Sequence, residues 1–131
     1  MPEVYGTGDF RYEFVEGWPK LPAGSHFEEC PGVAIDSRDN VYVLTRSEDP
    51  IMVFDSAGNY IRTIGKGQFS VSRTHGLYVA HDDSILAVDD GIHTVQKFNS
   101  EGEKIMELGE RNNPSTKWGG EPFNRPTSAA I

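Results

Sequence analysis

The stretch that decides the fold is Gly32-Val33-Ala34-Ile35-Asp36-Ser37-Arg38-Asp39-Asn40-Val41-Tyr42-Val43-Leu44-Thr45-Arg46, because the chain repeats it. An ungapped offset of 44 residues carries Gly32 onto Gly76. At that offset Val33-Ala34-Ile35 meets Leu77-Tyr78-Val79, and Val41-Tyr42-Val43 meets Ile85-Leu86-Ala87. Phe54 meets Phe98, Gly58 meets Gly102, Ile61 meets Ile105 and Gly65 meets Gly109. A period of ~40–50 residues is the size of one four-stranded propeller blade.

Each copy reads as strands divided by turns. In the first, residues 33–35, 41–44 and 51–54 are short apolar runs, and residues 59–64 alternate. Ser37-Arg38-Asp39-Asn40 has turn chemistry, since Asx side chains accept nearby backbone N–H groups and tolerate left-handed geometry. Asp55-Ser56-Ala57-Gly58 is a hairpin turn ending on a residue free to take positive φ. The second copy has matching turns at residues 81–84 and 99–102. The V-x-K-F-(D/N)-S-x-G pattern before a closing strand resembles NHL-type propeller repeats.

The reading is therefore an all-β, partial NHL-type β-propeller: two four-stranded blades, an N-terminal strand and the start of a third repeat. Residues 1–30 form an N-terminal segment, 31–73 the first blade, 74–125 the second with a long following loop, and 126–131 the third repeat's opening. The chain of 131 residues does not close a ring of such units. Repeat units bury their faces on neighbours, and open strand edges invite pairing. The expectation is the front part of a longer protein, or a piece that self-associates to complete the ring.

Outside the repeats, residues 1–9 are expected to be loosely ordered, while Phe10-Arg11-Tyr12-Glu13-Phe14-Val15 alternates as a strand does. In a complete ring such a strand joins the last blade. Trp18-Pro19-Lys20-Leu21-Pro22 is expected to be an extended linker, because proline lacks a backbone donor. The loop at 111–125 stretches the next spacing to 52, from Gly76 to Ser128. Loops of that length are often functional; the alternative packs Trp118 and Phe123 against the blade edge.

The formal charge of −8 argues against a nucleic-acid surface, whose footprint is a basic patch. Cys30 is the only cysteine, so an intrachain disulfide is impossible. No apolar run of ~18 residues marks a membrane helix, and residues 1–6 lack signal-peptide character. A cytoplasmic location is the default expectation.

Two side chains stand out for chemistry. His75 opens the second repeat where first strands line a propeller's channel; neutral imidazole suits zinc, copper or iron, and a hydrogen-bonded structural role is the alternative. Arg46 follows the second strand of the first repeat, and its counterpart in the second is Asp90. Its guanidinium suits a carboxylate ligand. The alternative is an ion pair with Glu48, Asp49 or Asp89-Asp90. His93 reads as structural, bonding backbone at a strand start; His26 and His81 read as solvated. The Asp89-Asp90 pair is suited to holding a turn or a cation.

The chain also resembles, over residues 10–131, the amino-terminal part of the peptidyl-α-hydroxyglycine α-amidating lyase (peptidylamidoglycolate lyase) family. The matching stretches are FRYEFVEGWPKLP (10–22), GVAIDSRDNVYVLTR (32–46), PIMVFDSAGN (50–59), THGLYVAHDDSILAVDDGIHTVQKF (74–98) and GEPFNRPTSAAI (120–131). The resemblance implies a six-bladed enzyme that cleaves a peptidyl-α-hydroxyglycine to a peptide amide and glyoxylate. It implies a zinc held by three histidines, His75 matching the first, and an Arg, here Arg46, that meets the substrate carboxylate. It further implies a structural calcium that takes the main-chain carbonyls of Val33 and Leu77, calcium being a hard cation suited to oxygen. Zinc would act on the substrate hydroxyl as a Lewis acid. The family's catalytic tyrosine, its other two zinc histidines, its calcium-binding aspartate and a late methionine have no counterpart in this sequence. The isolated chain is expected to be inactive and to bind zinc weakly. The competing expectation is a non-catalytic NHL propeller that binds a protein or small ligand at its face.

Overall fold

The computed structural model describes residues 3–131. Ten strands make up the regular structure, and no helix occurs among the described residues. Strands β1 (Val4–Thr7) and β2 (Phe10–Glu13) form a hairpin. Strands β3 (Gly32–Ile35), β4 (Val41–Leu44), β5 (Ile51–Phe54) and β6 (Tyr60–Ile64) form an antiparallel sheet in that spatial order. Strands β7 (Thr74–Val79), β8 (Ile85–Asp89), β9 (Thr94–Phe98) and β10 (Lys104–Leu108) form a second with the same up-and-down order. Two consecutive antiparallel meanders packed face to face make this a partial β-propeller.

The duplication extends to detail. Both outer pairs shift register at the corresponding place, after Val53 in the first sheet and after Lys104 in the second. Both outer turns need a positive-φ residue, met by Gly58 (φ 79°) and Gly102 (φ 90°). Asp55 Oδ1 accepts the Asn59 backbone N–H at 2.8 Å, and Asn99 Oδ1 accepts that of Glu103 at the same distance.

Strand alternation sorts the side chains into three layers. Between the sheets, Tyr42, Leu44, Ile51, Val53 and Ile64 of the first meet Ile85, Ala87 and Phe98 of the second, with Phe69 and Leu77 alongside. The opposite face of the first sheet, Val43, Met52 and Phe54, is covered by Trp18, Leu21 and Phe27. The opposite face of the second, Leu86, Val88 and Val95 with Tyr78 of β7 beside them, is covered by Phe123 and Ala129. Each open blade face is thus roofed by irregular chain.

Two expectations change, at residues 4–7 and at residues 18–22. Residues 4–7 form a strand where loose chain was expected; Gly8, at positive φ, opens the two-residue turn to β2. Residues 1–2 of that expectation lie outside the described residues. Strand β2 pairs with β1 alone and with neither four-stranded sheet. Residues 18–22 are more than a linker: Lys20 bridges Asn59, and the Trp18 indole N–H donates to the Ser56 carbonyl at 3.0 Å.

Residues 126–131 form no strand, yet they lie beside β7 much as β7 lies beside β3. A Cβ on Gly32 would sit 3.0 Å from the Leu77 Cβ, and one on Gly76 would sit 2.5 Å from the Thr127 carbonyl oxygen. The aligned glycines mark two successive close approaches of inner strand to next segment. The Tyr78 hydroxyl fixes the end by donating to the Ile131 carbonyl at 2.9 Å.

Candidate functional site

The candidate residues gather where β4 ends and β7 begins. Two hydrogen bonds clamp these points together. The Thr74 hydroxyl donates to the Thr45 carbonyl at 2.8 Å, and Arg46 Nε donates to the Thr74 carbonyl at 3.1 Å. Both threonines are fully buried, so the clamp is dry and its polar groups answer each other. Arg46 is thereby anchored on the residue preceding His75.

Arg46 also forms an ion pair with Glu29, and its backbone N–H donates to the Glu29 carbonyl at 2.8 Å. The partner is Glu29, rather than Glu48, Asp49 or Asp89-Asp90. Asp49 is engaged by Lys66 and Ser25, and Asp90 by Arg73 and Arg125. In the second blade the corresponding backbone bond joins Asp90 N–H to the Arg73 carbonyl at 3.1 Å. Arg73 grips Asp90 with Nε at 2.7 Å and Nη2 at 2.5 Å. The charges are inverted: acid then base in the first blade, base then acid in the second.

His75 is half-buried, and its Nδ1 lies 3.1 Å from the Thr127 carbonyl oxygen. A carbonyl only accepts, so a hydrogen bond at this contact requires the proton on Nδ1, the tautomer that leaves the lone pair on Nε2. That tautomer suits a metal ligand whose other nitrogen is held by backbone. Among the described residues no group of three His, Cys, Asp or Glu side chains is placed to hold a metal ion. The donor set beside His75 supplies one imidazole and a carboxylate, Asp90, that is already committed to two guanidiniums. It does not make the three-histidine site that the lyase resemblance implies.

Val33 and Leu77 stand on the two inner strands, which lie side by side. Val33 is 68% exposed, whereas Leu77 packs on the layer between the blades. Inner strands are bonded on one side only, and such edge strands keep free carbonyls.

The loop after the second blade completes the site. His75, Asp90, Lys117, Trp118, Asn124, Arg125 and Thr127 line a cleft of about 560 Å³. Burial works to raise the Asp90 carboxyl, but the guanidiniums of Arg73 and Arg125 outweigh it and hold the group below the usual aspartate range. Arg125 is held at its backbone as well, donating N–H to His93 Nδ1 at 3.1 Å. Phe123 tucks under the blade, while Trp118 stands 91% exposed. Trp118 (φ 67°) and Arg125 (φ 54°) both sit in the left-handed region, at a cost of roughly 1–2 kcal/mol each. Lys117 and Arg125 were not singled out from the sequence. The signal for Arg125 was there, since the spacing that carries Gly76 to Ser128 also carries Arg73 to Arg125.

Asp89 holds a turn: Oδ1 accepts the Gly91 N–H at 2.8 Å and Oδ2 that of Ser70 at 2.6 Å. His81 is exposed, and His26, also exposed, pairs with Glu28 at 3.1 Å. No helix among the described residues is long and apolar enough to cross a membrane.

Two antiparallel four-stranded sheets stacked in sequence define the class as a β-propeller portion. No family model matches the chain. It is similar to the human NHL repeat-containing protein 3, 30% identical over 138 aligned residues, covering 95% of this chain and 38% of that protein. It is similar also to the mouse NHL repeat-containing protein 3, 31% identical over 128 residues, covering 88% of this chain and 35% of that one. These likenesses support an NHL-repeat family, and the chain spans well under half the length of the curated relatives it matches.

Proposed function

We propose that the chain is a ligand-recognition part of an NHL-type propeller, and that its recognition end is the one holding Arg46 and His75. The observation that carries this is the Arg46 Nε bond to the Thr74 carbonyl, which fixes a guanidinium next to the imidazole-bearing residue. The ligand class is a small molecule or peptide that bears a carboxylate. Arg46 would take that carboxylate by exchanging it for Glu29, whose side chain is 72% exposed and readily displaced. Further blades, or a second copy of the chain, would complete the ring.

A catalytic form of the same reading is favoured by one specific observation, the His75 Nδ1 placed 3.1 Å from the Thr127 carbonyl oxygen, a contact that calls for the proton on Nδ1. With Nε2 free, His75 would supply one zinc ligand, the remaining ligands coming from other blades. Zinc, when bound, would supply Lewis acidity at the substrate oxygen. Structural calcium at the Val33 and Leu77 carbonyls belongs to this form. The reaction would be lyase cleavage of a peptidyl-α-hydroxyglycine. The hydroxyl loses its proton, its electrons form the aldehyde of glyoxylate, the C–N bond breaks and the amide nitrogen is protonated. Arg46 would orient the substrate carboxylate.

The test is glyoxylate release from an N-acyl-α-hydroxyglycine by a zinc-loaded, ring-complete form, with Arg46→Ala as control. The catalytic form predicts release that falls at least about tenfold in the variant. No release with zinc loaded, alongside carboxylate binding that Arg46→Ala weakens, leaves the recognition module. Binding indifferent to Arg46 overturns both.

A further inference from the structure

The cleft beside His75 carries a feature that neither recognition by Arg46 nor a metal uses. Its charge is out of keeping with the chain. The protein has a net charge of −8, yet among the described residues the only carboxylate lining the cleft is Asp90, and two guanidiniums already answer it. Lys117 forms no ion pair among the described residues. The local balance is therefore positive, which favours an anion. The volume, about 560 Å³, lies within the range of small-molecule sites.

The second half of the argument is the aromatic wall. Lys117 Nζ stands 5.4 Å from the Trp118 ring centroid, so a cation and a π face are held together at the cleft rim. Trp118 is almost wholly exposed although Phe123, five residues on, finds cover under the blade. The loop is tied on either side of it. Gly119 N–H donates to the Thr116 carbonyl at 2.8 Å, and the Asn124 amide donates to the Ser115 carbonyl at 2.6 Å. Trp118 and Arg125, the two positive-φ residues of the cleft, face it together. A large exposed ring on anchored backbone, beside an ammonium with no carboxylate partner among the described residues, is suited to a ligand with one negative charge and one flat apolar group.

We propose that the cleft formed by His75, Lys117, Trp118, Asn124, Arg125 and Thr127 binds a small aromatic carboxylate. The ring stacks on Trp118, the carboxylate is taken by Lys117, and Arg125, kept in place by Asp90, lends its remaining N–H groups. This goes beyond recognition through Arg46 and needs no metal. The probe is phenylacetate, titrated calorimetrically into the full chain freed of metal by EDTA, with acetate and benzyl alcohol as partial ligands. Saturable binding of phenylacetate below about 10 mM is expected, with Lys117→Gln and Trp118→Ala each weakening it about tenfold or more. Both residues are exposed, so the variants keep the fold, and circular dichroism verifies it. Lys66→Gln, which removes a surface lysine paired with Asp49 in the first blade, leaves the affinity unchanged. Absence of saturable binding overturns the proposal. So does equal affinity for acetate or benzyl alcohol, or wild-type affinity in either cleft variant. None of these outcomes bears on glyoxylate release or on Arg46.

Discussion

The two blades share a backbone and differ in what they hang on it. In both, a residue just past the second strand donates its N–H to a carbonyl in the segment before the blade: Arg46 to Glu29 at 2.8 Å, Asp90 to Arg73 at 3.1 Å. The side chains at those positions form an ion pair in each, with the charges exchanged. The main chain builds the blade, and the inner ends are left to vary. That freedom is why a fold of repeats hosts different chemistry at equivalent points. It also gives the two blades different inner ends: a guanidinium paired with an exposed carboxylate in the first, and a buried carboxylate that fixes two cations in the second.

The comparison is broken most forcefully in the core. Phe54 and Phe98 occupy the same position and are both fully buried. Phe98 lies between the blades, while Phe54 lies under Trp18 and Phe27. Phe98→Ala is expected to cost about 3–5 kcal/mol by chemical denaturation. Phe54→Ala is expected to cost less, because irregular chain closes over a cavity better than a second sheet does. Equal costs would mean that residues 18–27 are held as rigidly as a blade.

The outer-turn glycines come next. A Cβ on Gly58 would lie 1.7 Å from the Trp18 carbonyl oxygen, and one on Gly102 would lie 3.0 Å from the Ile64 Cγ1. Gly102→Ala is expected to cost about 1–2 kcal/mol from positive φ alone. Gly58→Ala must exceed it, because Trp18 has to leave; a red shift of Trp18 fluorescence accompanies the loss. A blue-shifted or unchanged spectrum would contradict the docking of residues 18–22.

The exchanged ion pairs give the smallest effects. The Asp90 side chain is 5% exposed and that of Glu29 72%. Asp90→Asn is expected to cost about 1–2 kcal/mol, discounted because both arginines reach solvent, and Glu29→Gln about 0–1. The pH dependence follows from Asp90 and from Asp36. Burial tends to raise the Asp36 carboxyl too, but hydrogen bonds from Asn40, Arg38 and Tyr42 outweigh it and hold the group low. A carboxyl depressed on folding stabilises the native state in full above its unfolded value, about 3.9, and loses that contribution as pH falls through the folded value. Melting temperature is therefore expected to drop below about pH 4, with a shallower drop in Asp90→Asn. An identical acid slope in that variant would remove Asp90 from the account.

Much of this architecture is legible in the chain itself. The 44-residue offset places all eight blade strands, because β-branched runs and turn glycines recur at the same spacing. Val41–Leu44 and Ile51–Phe54 are bounded where the pattern puts them. The first hairpin is hard to read: a four-residue strand between glycines carries too little periodicity. Glu29 is hidden as the partner of Arg46 because it precedes the stretch where the repeat is obvious, although it stands at the same offset from Arg73. The cleft is the least legible part. Its residues come from an inner strand, a strand end and a long loop, and only the chain's return path to β7 brings them together.

The central claim is that residues 126–131 come back onto β7 and set the His75 ring with its proton on Nδ1. Long-range ¹H–¹⁵N NMR of the imidazole nitrogens tests it most directly. The neutral ring of His75 is expected to show a protonated Nδ1 and an unprotonated Nε2, and Gly76→Ala, whose Cβ would come within 2.5 Å of the Thr127 carbonyl oxygen and push it away, to move the ring toward the opposite tautomer. A His75 already protonated at Nε2 in the unaltered chain would contradict both the return of the chain and the site built on it.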